Sequence, residues 1–148
     1  MEKKFMGQVN EFRLWASKHT RTAPAGEWET EYLRWESIYQ DSAELVAGIP
    51  VSQWDHDVLD NFLYILARDN ECENILELLI QHPEQLIAIA RHAVTYEDPD
   101  TRWQIAFGLG EIATKNEEVK NLSNQFLQDG HEYVRRRASM AWEKKWTI

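Results

Sequence analysis

Asp129 to Ala141 reads D-G-H-E-Y-V-R-R-R-A-S-M-A, and thirty-three residues earlier Thr101 to Gly110 reads T-R-W-Q-I-A-F-G-L-G. With Arg102 laid on Arg135, the small and apolar positions coincide: Ile105 on Ala138, Ala106 on Ser139, Phe107 on Met140, Gly108 on Ala141 and Leu109 on Trp142. A repeat of this length is the mark of stacked helical pairs, each too small to bury its apolar face alone. It decides the fold class as all-α and leaves the ligand unnamed.

The apolar spacing outward from this stretch is helical throughout. Phe5, Val9, Phe12 and Ala16 form one face of a first helix over residues 3–18, with Trp15 beside them. Thr20–Gly26 reads as a loop. A second helix is expected from Glu27 to Val46, with Trp28, Tyr32, Trp35 and Tyr39 as an aromatic stripe, ended by Gly48-Ile-Pro50. Ser52 and Asp55 resemble a capping box opening a third helix that ends near Asn70. Shorter helices follow at Glu73–Gln81 and from Pro83, where proline suits a first turn. Asp98-Pro99 starts the next, expected to reach Lys115. Asn116 caps the seventh helix, and Asp129-Gly130 turns the chain into the last. About eight helices in antiparallel pairs result.

The chain has 148 residues, 43% of them hydrophobic, with seven Trp but only six Gly and four Pro. That is enough apolar matter for one domain and too few turn residues for a many-stranded sandwich. Cys72 is the one cysteine, which excludes an internal disulfide and a cysteine-based zinc site. Met1–Lys4 is charged with no apolar run behind it, and Leu86–Ala90 is far too short to span a bilayer, so the expected location is cytoplasmic, with no membrane partner. Net charge is −9, distributed as +3 over residues 1–22, −15 over 23–130 and +3 over 131–148. An acidic body repels phosphate backbones and attracts basic proteins, which disfavours a nucleic-acid partner.

Val134-Arg135-Arg136-Arg137-Ala138-Ser139-Met140-Ala141-Trp142, with Asp129 in the turn before it, resembles the signature of the HEAT-repeat family. Thr101–Gly110, with Asp98-Pro99-Asp100 as its acidic turn, is a second copy, and Val58–Ala67 a weaker third with Leu59 in the arginine's place. The resemblance covers 83–145 best. It implies a HEAT-like α-solenoid in a single domain, with 1–50 a divergent N-terminal helical cap and 51–148 the repeats. It also implies that the signature arginines and turn aspartates, Arg102, Arg135, Asp98 and Asp129, bond between neighbouring repeats.

In that register the positions just after the arginine point outward on the concave face. They give Trp103, Phe107 and Glu111 on one helix, Arg136, Met140 and Lys144 on the next, and Asp60, Tyr64 and Arg68 on the weak copy, flanked by Gln104, Arg137 and Asn61. Aromatic residues, arginine and methionine are the composition of protein-binding hot spots. The other reading of the same columns is packing between helices.

No chemistry competes with binding. His19, His56, His82, His92 and His131 show no spacing that puts two ligands on one helical face. Glu71, Glu73 and Glu77 lack apolar surroundings that would separate their acidities for acid–base work. Gly108-Leu-Gly110 lies within a helix, where small residues serve close packing, and not after a strand as a nucleotide loop would. The expectation is therefore a non-catalytic protein-binding helical-repeat protein without cofactor, in its narrower form an acidic inhibitor or immunity-type protein for a basic partner. Helical repeats of this family also occur in bilin lyases and in DNA glycosylases, which keeps an enzyme or enzyme accessory as the alternative.

Overall fold

The computed structural model of the protein describes residues 1–18 and 28–147. Among these the chain forms eight α-helices and no strand: α1 (Glu2–Ser17), α2 (Trp35–Gly48), α3 (His56–Arg68), α4 (Asn74–Ile80), α5 (Pro83–Ala93), α6 (Pro99–Glu111), α7 (Glu117–Leu127) and α8 (Glu132–Trp146). They divide into two compact units, Met1–Ile75 and Leu76–Ile148.

In the first unit the stripe Phe5, Val9, Phe12 and Ala16 is fully inside, and α1 packs on α2 and α3 through it. From α3, Val58, Leu59, Phe62, Leu63, Ile65 and Leu66 complete the core, with the Phe5 and Phe62 rings 5.8 Å apart. Each such side chain contributes roughly 1.5–3 kcal/mol when fully buried, so this stripe, not helix propensity, holds α1 in place.

Two boundaries differ from the sequence reading. The second helix is not continuous: a short 3-10 turn at Trp28–Glu31 is separated from α2 by a break at 32–34. The break turns Tyr32 into the core, edge-on to Phe12 at 5.1 Å, and leaves Leu33 almost wholly exposed. Trp35 is thereby free to donate its indole N–H to the Glu29 carbonyl at 2.7 Å and to stack on Tyr39. An unbroken helix satisfies none of these together. The expected loop at Thr20–Gly26 lies outside the described residues. Likewise Ser52 does not cap α3. Residues Val51–Gln53 form a 3-10 turn, because Trp54 is buried against Phe62 with its indole N–H on the Ile49 carbonyl, and Asp55 takes the N-cap position.

The turn from α3 to α4 is organised by one carboxylate. Asp69, 3% exposed, accepts the Tyr39 hydroxyl at 2.6 Å and the Ile75 backbone N–H at 2.9 Å. Glu73 beside it takes a left-handed backbone conformation (φ 57°) that closes the turn.

In the second unit the helix starts recur: α7 begins 34 residues after α5, and α8 begins 33 after α6. Helix α6 is the centre, touching α5, α7 and, most extensively, α8. It stops at Glu111, short of the expected Lys115, because Ile112 turns to extended backbone and buries its side chain. Helix α8 buries only Val134, Ala138 and Ala141. With two alanines among three core residues, it is held by close backbone approach, not by apolar bulk. A Cβ added at Gly110 would lie 2.6 Å from the Ala141 Cβ and 2.9 Å from its Cα, so glycine is what lets the two helices meet there. No helix among the described residues is long and apolar enough to cross a membrane.

Candidate functional site: the α6–α8 face

The two copies of the repeat build equivalent turns. Asp98 caps α6 by accepting the Asp100 N–H at 2.9 Å, and His131 caps α8 by accepting the Tyr133 N–H on Nδ1 at 3.2 Å. Arg102 sends Nη1 back to the Tyr96 carbonyl at 2.7 Å, and Arg135 sends Nη1 back to the Asp129 carbonyl at 2.8 Å, each six residues upstream. Arg102 then reaches further. Its Nε and Nη2 donate to the two carboxylate oxygens of Asp129 at 2.8 and 3.2 Å, joining the start of α6 to the α7–α8 turn. Burial opposes ionisation of Asp129, but the Arg102 hydrogen bonds and charge and the His131 N–H outweigh it and hold the carboxyl below its ordinary range. Of the four residues expected to bond between repeats, Arg102 and Asp129 bond to each other, while Asp98 caps its own helix and Arg135 closes its own turn.

With the helices fixed at this end, one face gathers aromatic rings around an arginine. The Arg137 guanidinium carbon lies 4.7 Å from the centre of the Trp103 ring, 4.8 Å from Phe107 and 5.9 Å from Tyr133. Its Nη1 donates to the Tyr133 hydroxyl at 3.2 Å, and Tyr133 meets Trp103 edge-on at 5.5 Å. Guanidinium over a ring face is attracted by the ring quadrupole, most strongly at Trp. No carboxylate is ion-paired with Arg137 among the described residues, so its charge is met by ring faces and the Tyr133 hydroxyl.

The outward register therefore needs correction at two places. Trp103 is only 6% exposed, because Tyr133 and Arg137 cover its ring and Asp100 Oδ1 accepts its indole N–H at 3.0 Å. Gln104 is wholly buried, donating Nε2 to the Asp100 carbonyl at 2.9 Å. Phe107 is half-buried under Arg137. On α8 the arginines exchange expected roles. Arg137, placed at the flank by the sequence, sits on the rings, whereas Arg136 stands exposed and paired with Glu132 at 2.8 Å. Met140 is 57% exposed, and Lys144 bonds Glu111 at 2.7 Å, a link between positions 33 apart. Tyr133 was not among the expected residues; its position four before Arg137 and seven before Met140, on one helical face, is the signal that could have found it.

Comparison of the chain with protein-family models, with curated proteins and with solved structures yields no match.

The remaining expected residues, Asp60, Asn61, Tyr64 and Arg68, lie in the first unit, where Arg13 joins Asn61 to Tyr64. Asn61 accepts Arg13 Nε at 3.0 Å and donates to the Asp57 carbonyl. Tyr64 lies under the Arg13 guanidinium at 3.7 Å. Arg68 donates to Glu29, itself 2% exposed, at 3.2 Å. Asp60 is exposed. Arg13, on α1, carries no sequence signal that would join it to residues 48 positions away. Among the described residues no group of His, Cys, Asp and Glu converges in a way that could hold a metal ion.

Proposed function

We propose that this chain is a non-catalytic protein-binding module, a short HEAT-like solenoid that seats its partner on the α6–α8 face. One observation carries the reading: Arg137 lies on Trp103, Phe107 and Tyr133 with no carboxylate of its own, beside exposed Tyr133 and Met140. A prearranged aromatic platform with an uncompensated guanidinium suits a partner segment that brings a carboxylate and an apolar side chain together. The equivalence of the Arg102 and Arg135 turns and the 33-residue recurrence of α6 and α8 support the repeat reading.

The excess of acid, −7 over residues 1–75 against −2 over 76–148, would suit the basic partner of an immunity-type protein. The platform carries the opposite charge, and the contact is placed there. The test is a photo-crosslinking residue at Met140, irradiated in cells that natively make the protein. The proposal expects a discrete protein adduct that disappears when Tyr133→Ala and Arg136→Ala are added. A folded probe protein that yields no adduct overturns it.

A further inference from the structure

A second group of side chains, away from the Arg137 platform, converges on the end of α8. The ammonium groups of Lys115, Lys120 and Lys145 lie 5.5, 5.6 and 5.9 Å from the centre of the Trp146 ring. They come from three elements: Lys115 from the loop after α6, Lys120 from the first turns of α7, Lys145 from the last turn of α8. Three charges this close to one point stand within about a Debye length of one another at ordinary salt. None is ion-paired to a carboxylate among the described residues. Glu118 on α7 is engaged by Arg91, Glu111 by Lys144, and Glu117 and Glu143 form no ion pair with the three lysines.

Two further observations set this group apart from lysine stems merely covering a tryptophan. The indole N–H of Trp146 is enclosed by protein and has no acceptor. Lys145, which bonds the Ile112 carbonyl, has its acidity increased by burial first and by the charge of Lys115 second. Lys145 thus sits close to a second ammonium, with no carboxylate ion-paired to either among the described residues. Lys144 and Lys4, by contrast, are each ion-paired, Lys144 with Glu111 and Lys4 with Asp41 and Glu44.

We propose that Lys115, Lys120, Lys145 and the Trp146 indole form a binding site for a small phosphate-type polyanion. A diphosphate offers several oxygens to ammonium groups arriving from different directions, and an ammonium binds phosphate as a point charge without demanding a fixed fork geometry. The adjacent Trp142, its ring 5.8 Å from that of Trp146, adds an aromatic surface on which a nucleoside attached to the phosphates would stack. The net charge of −9 repels anions at long range, so binding relies on the local ammonium charges, and because salt screens their attraction for phosphate, binding should weaken as salt rises. This site neither depends on the α6–α8 platform nor contributes to it.

The test follows the ¹H–¹⁵N signal of the Trp146 indole, assigned with Trp146→Phe, during titration with pyrophosphate and, separately, with adenosine diphosphate. Sodium chloride is the control at matched ionic strength. A saturable shift is expected with pyrophosphate and not with chloride. The exposed double variant Lys115→Gln/Lys120→Gln should weaken binding tenfold or more, and each single variant should weaken it by a smaller factor. Equal affinity for the two probes assigns the site to free phosphates, and tighter binding of the nucleotide assigns it to a nucleoside diphosphate. Absence of a saturable shift with either probe, or an unchanged response in the folded double variant, overturns the proposal.

Discussion

Arg102 and Asp129, twenty-seven residues apart, meet in a two-pronged ion pair of 2.8 and 3.2 Å whose side chains are 15% and 7% exposed. The pair fastens the start of α6 to the turn that launches α8. The helix it holds buries only Val134, Ala138 and Ala141, so few apolar contacts stand in for it. Arg102→Ala leaves a nearly buried carboxylate without its charge partner and should destabilise the protein by about 3 kcal/mol, the lower end of what breaking a buried pair costs. Equilibrium urea unfolding checks the size, and amide exchange checks the place, with α8 losing protection before α1. The folded Asp129 carboxyl sits below its unfolded acidity constant, so its contribution is complete above that unfolded value and disappears as pH falls through the folded one. Arg102→Ala should thus cost less at pH 2 than at pH 7.

Asp69 behaves in the opposite sense. Burial raises its carboxyl to about 6, against the lowering effect of the Tyr39 hydroxyl and the Asn74 and Ile75 N–H groups. A folded value above the unfolded one means that the native state holds the proton longer. The folded state is then unpenalised below the unfolded value, loses stability as pH rises from about 4 to 6, and stays at the lower level beyond. The full loss is about 2–3 kcal/mol for a shift of this order. Asp69→Asn removes the titration. The stability of the native chain minus that of the variant, from urea melts between pH 4 and 7, should fall with rising pH. A difference that does not change with pH refutes this account. Tyr39 is pushed upward by burial and by the Asp69 hydrogen bond, so it stays a donor across this range.

Tyr133 and Met140 separate binding from folding. Both are exposed, and neither fills a core position. Tyr133→Ala forfeits an edge-on contact with Trp103 and one side of the Arg137 site, about 1 kcal/mol. Met140→Ser should change stability by no more than about 0.5 kcal/mol, as surface substitutions usually do. The two together should nevertheless remove the Met140-region interaction, read by crosslinking from a neighbouring probe at Ser139. Retention of the adduct in a double variant that is folded by circular dichroism contradicts the platform reading.

These sites were legible in the sequence to different degrees, for physical reasons. The helices from Pro83 onward were readable because cap and core agree: Asp98 and Asn116 accept backbone N–H groups where their positions predict. The second helix was misread because period 3.6 aligns Trp28, Tyr32, Trp35 and Tyr39 on one face, whereas Tyr32 gains more from Phe12 and Trp15 than from staying in register. The outward column was misjudged at Trp103 because helical phase locates a side chain without saying what covers it. The cover is Tyr133 and Arg137, thirty and more residues away. The Lys115–Lys120–Lys145 group was invisible for the same reason: three lysines on three elements share no spacing, and only the chain's return to Trp146 joins them.

Two glycines give the last prediction, because their surroundings assign opposite signs to one substitution. Gly7 lies inside α1, where an added Cβ meets nothing within 4 Å. Gly7→Ala removes backbone freedom from the unfolded chain at no steric cost and should stabilise the protein by about 0.5–1 kcal/mol. Gly110 also lies in a helix, so propensity alone predicts the same gain. There the new methyl would stand 2.6 Å from the Ala141 Cβ, 2.9 Å from its Cα and 3.2 Å from its carbonyl oxygen. Two of those atoms are backbone, so relief requires α8 to move away from α6, which strains the Lys144–Glu111 and Arg102–Asp129 ties as well. Overpacking of this kind costs about 1–3 kcal/mol, more than the propensity gain returns. Gly110→Ala should therefore lower the urea midpoint while Gly7→Ala raises it. Matching shifts of the same sign would mean that α6 and α8 do not approach as closely as Gly110 and Ala141 place them.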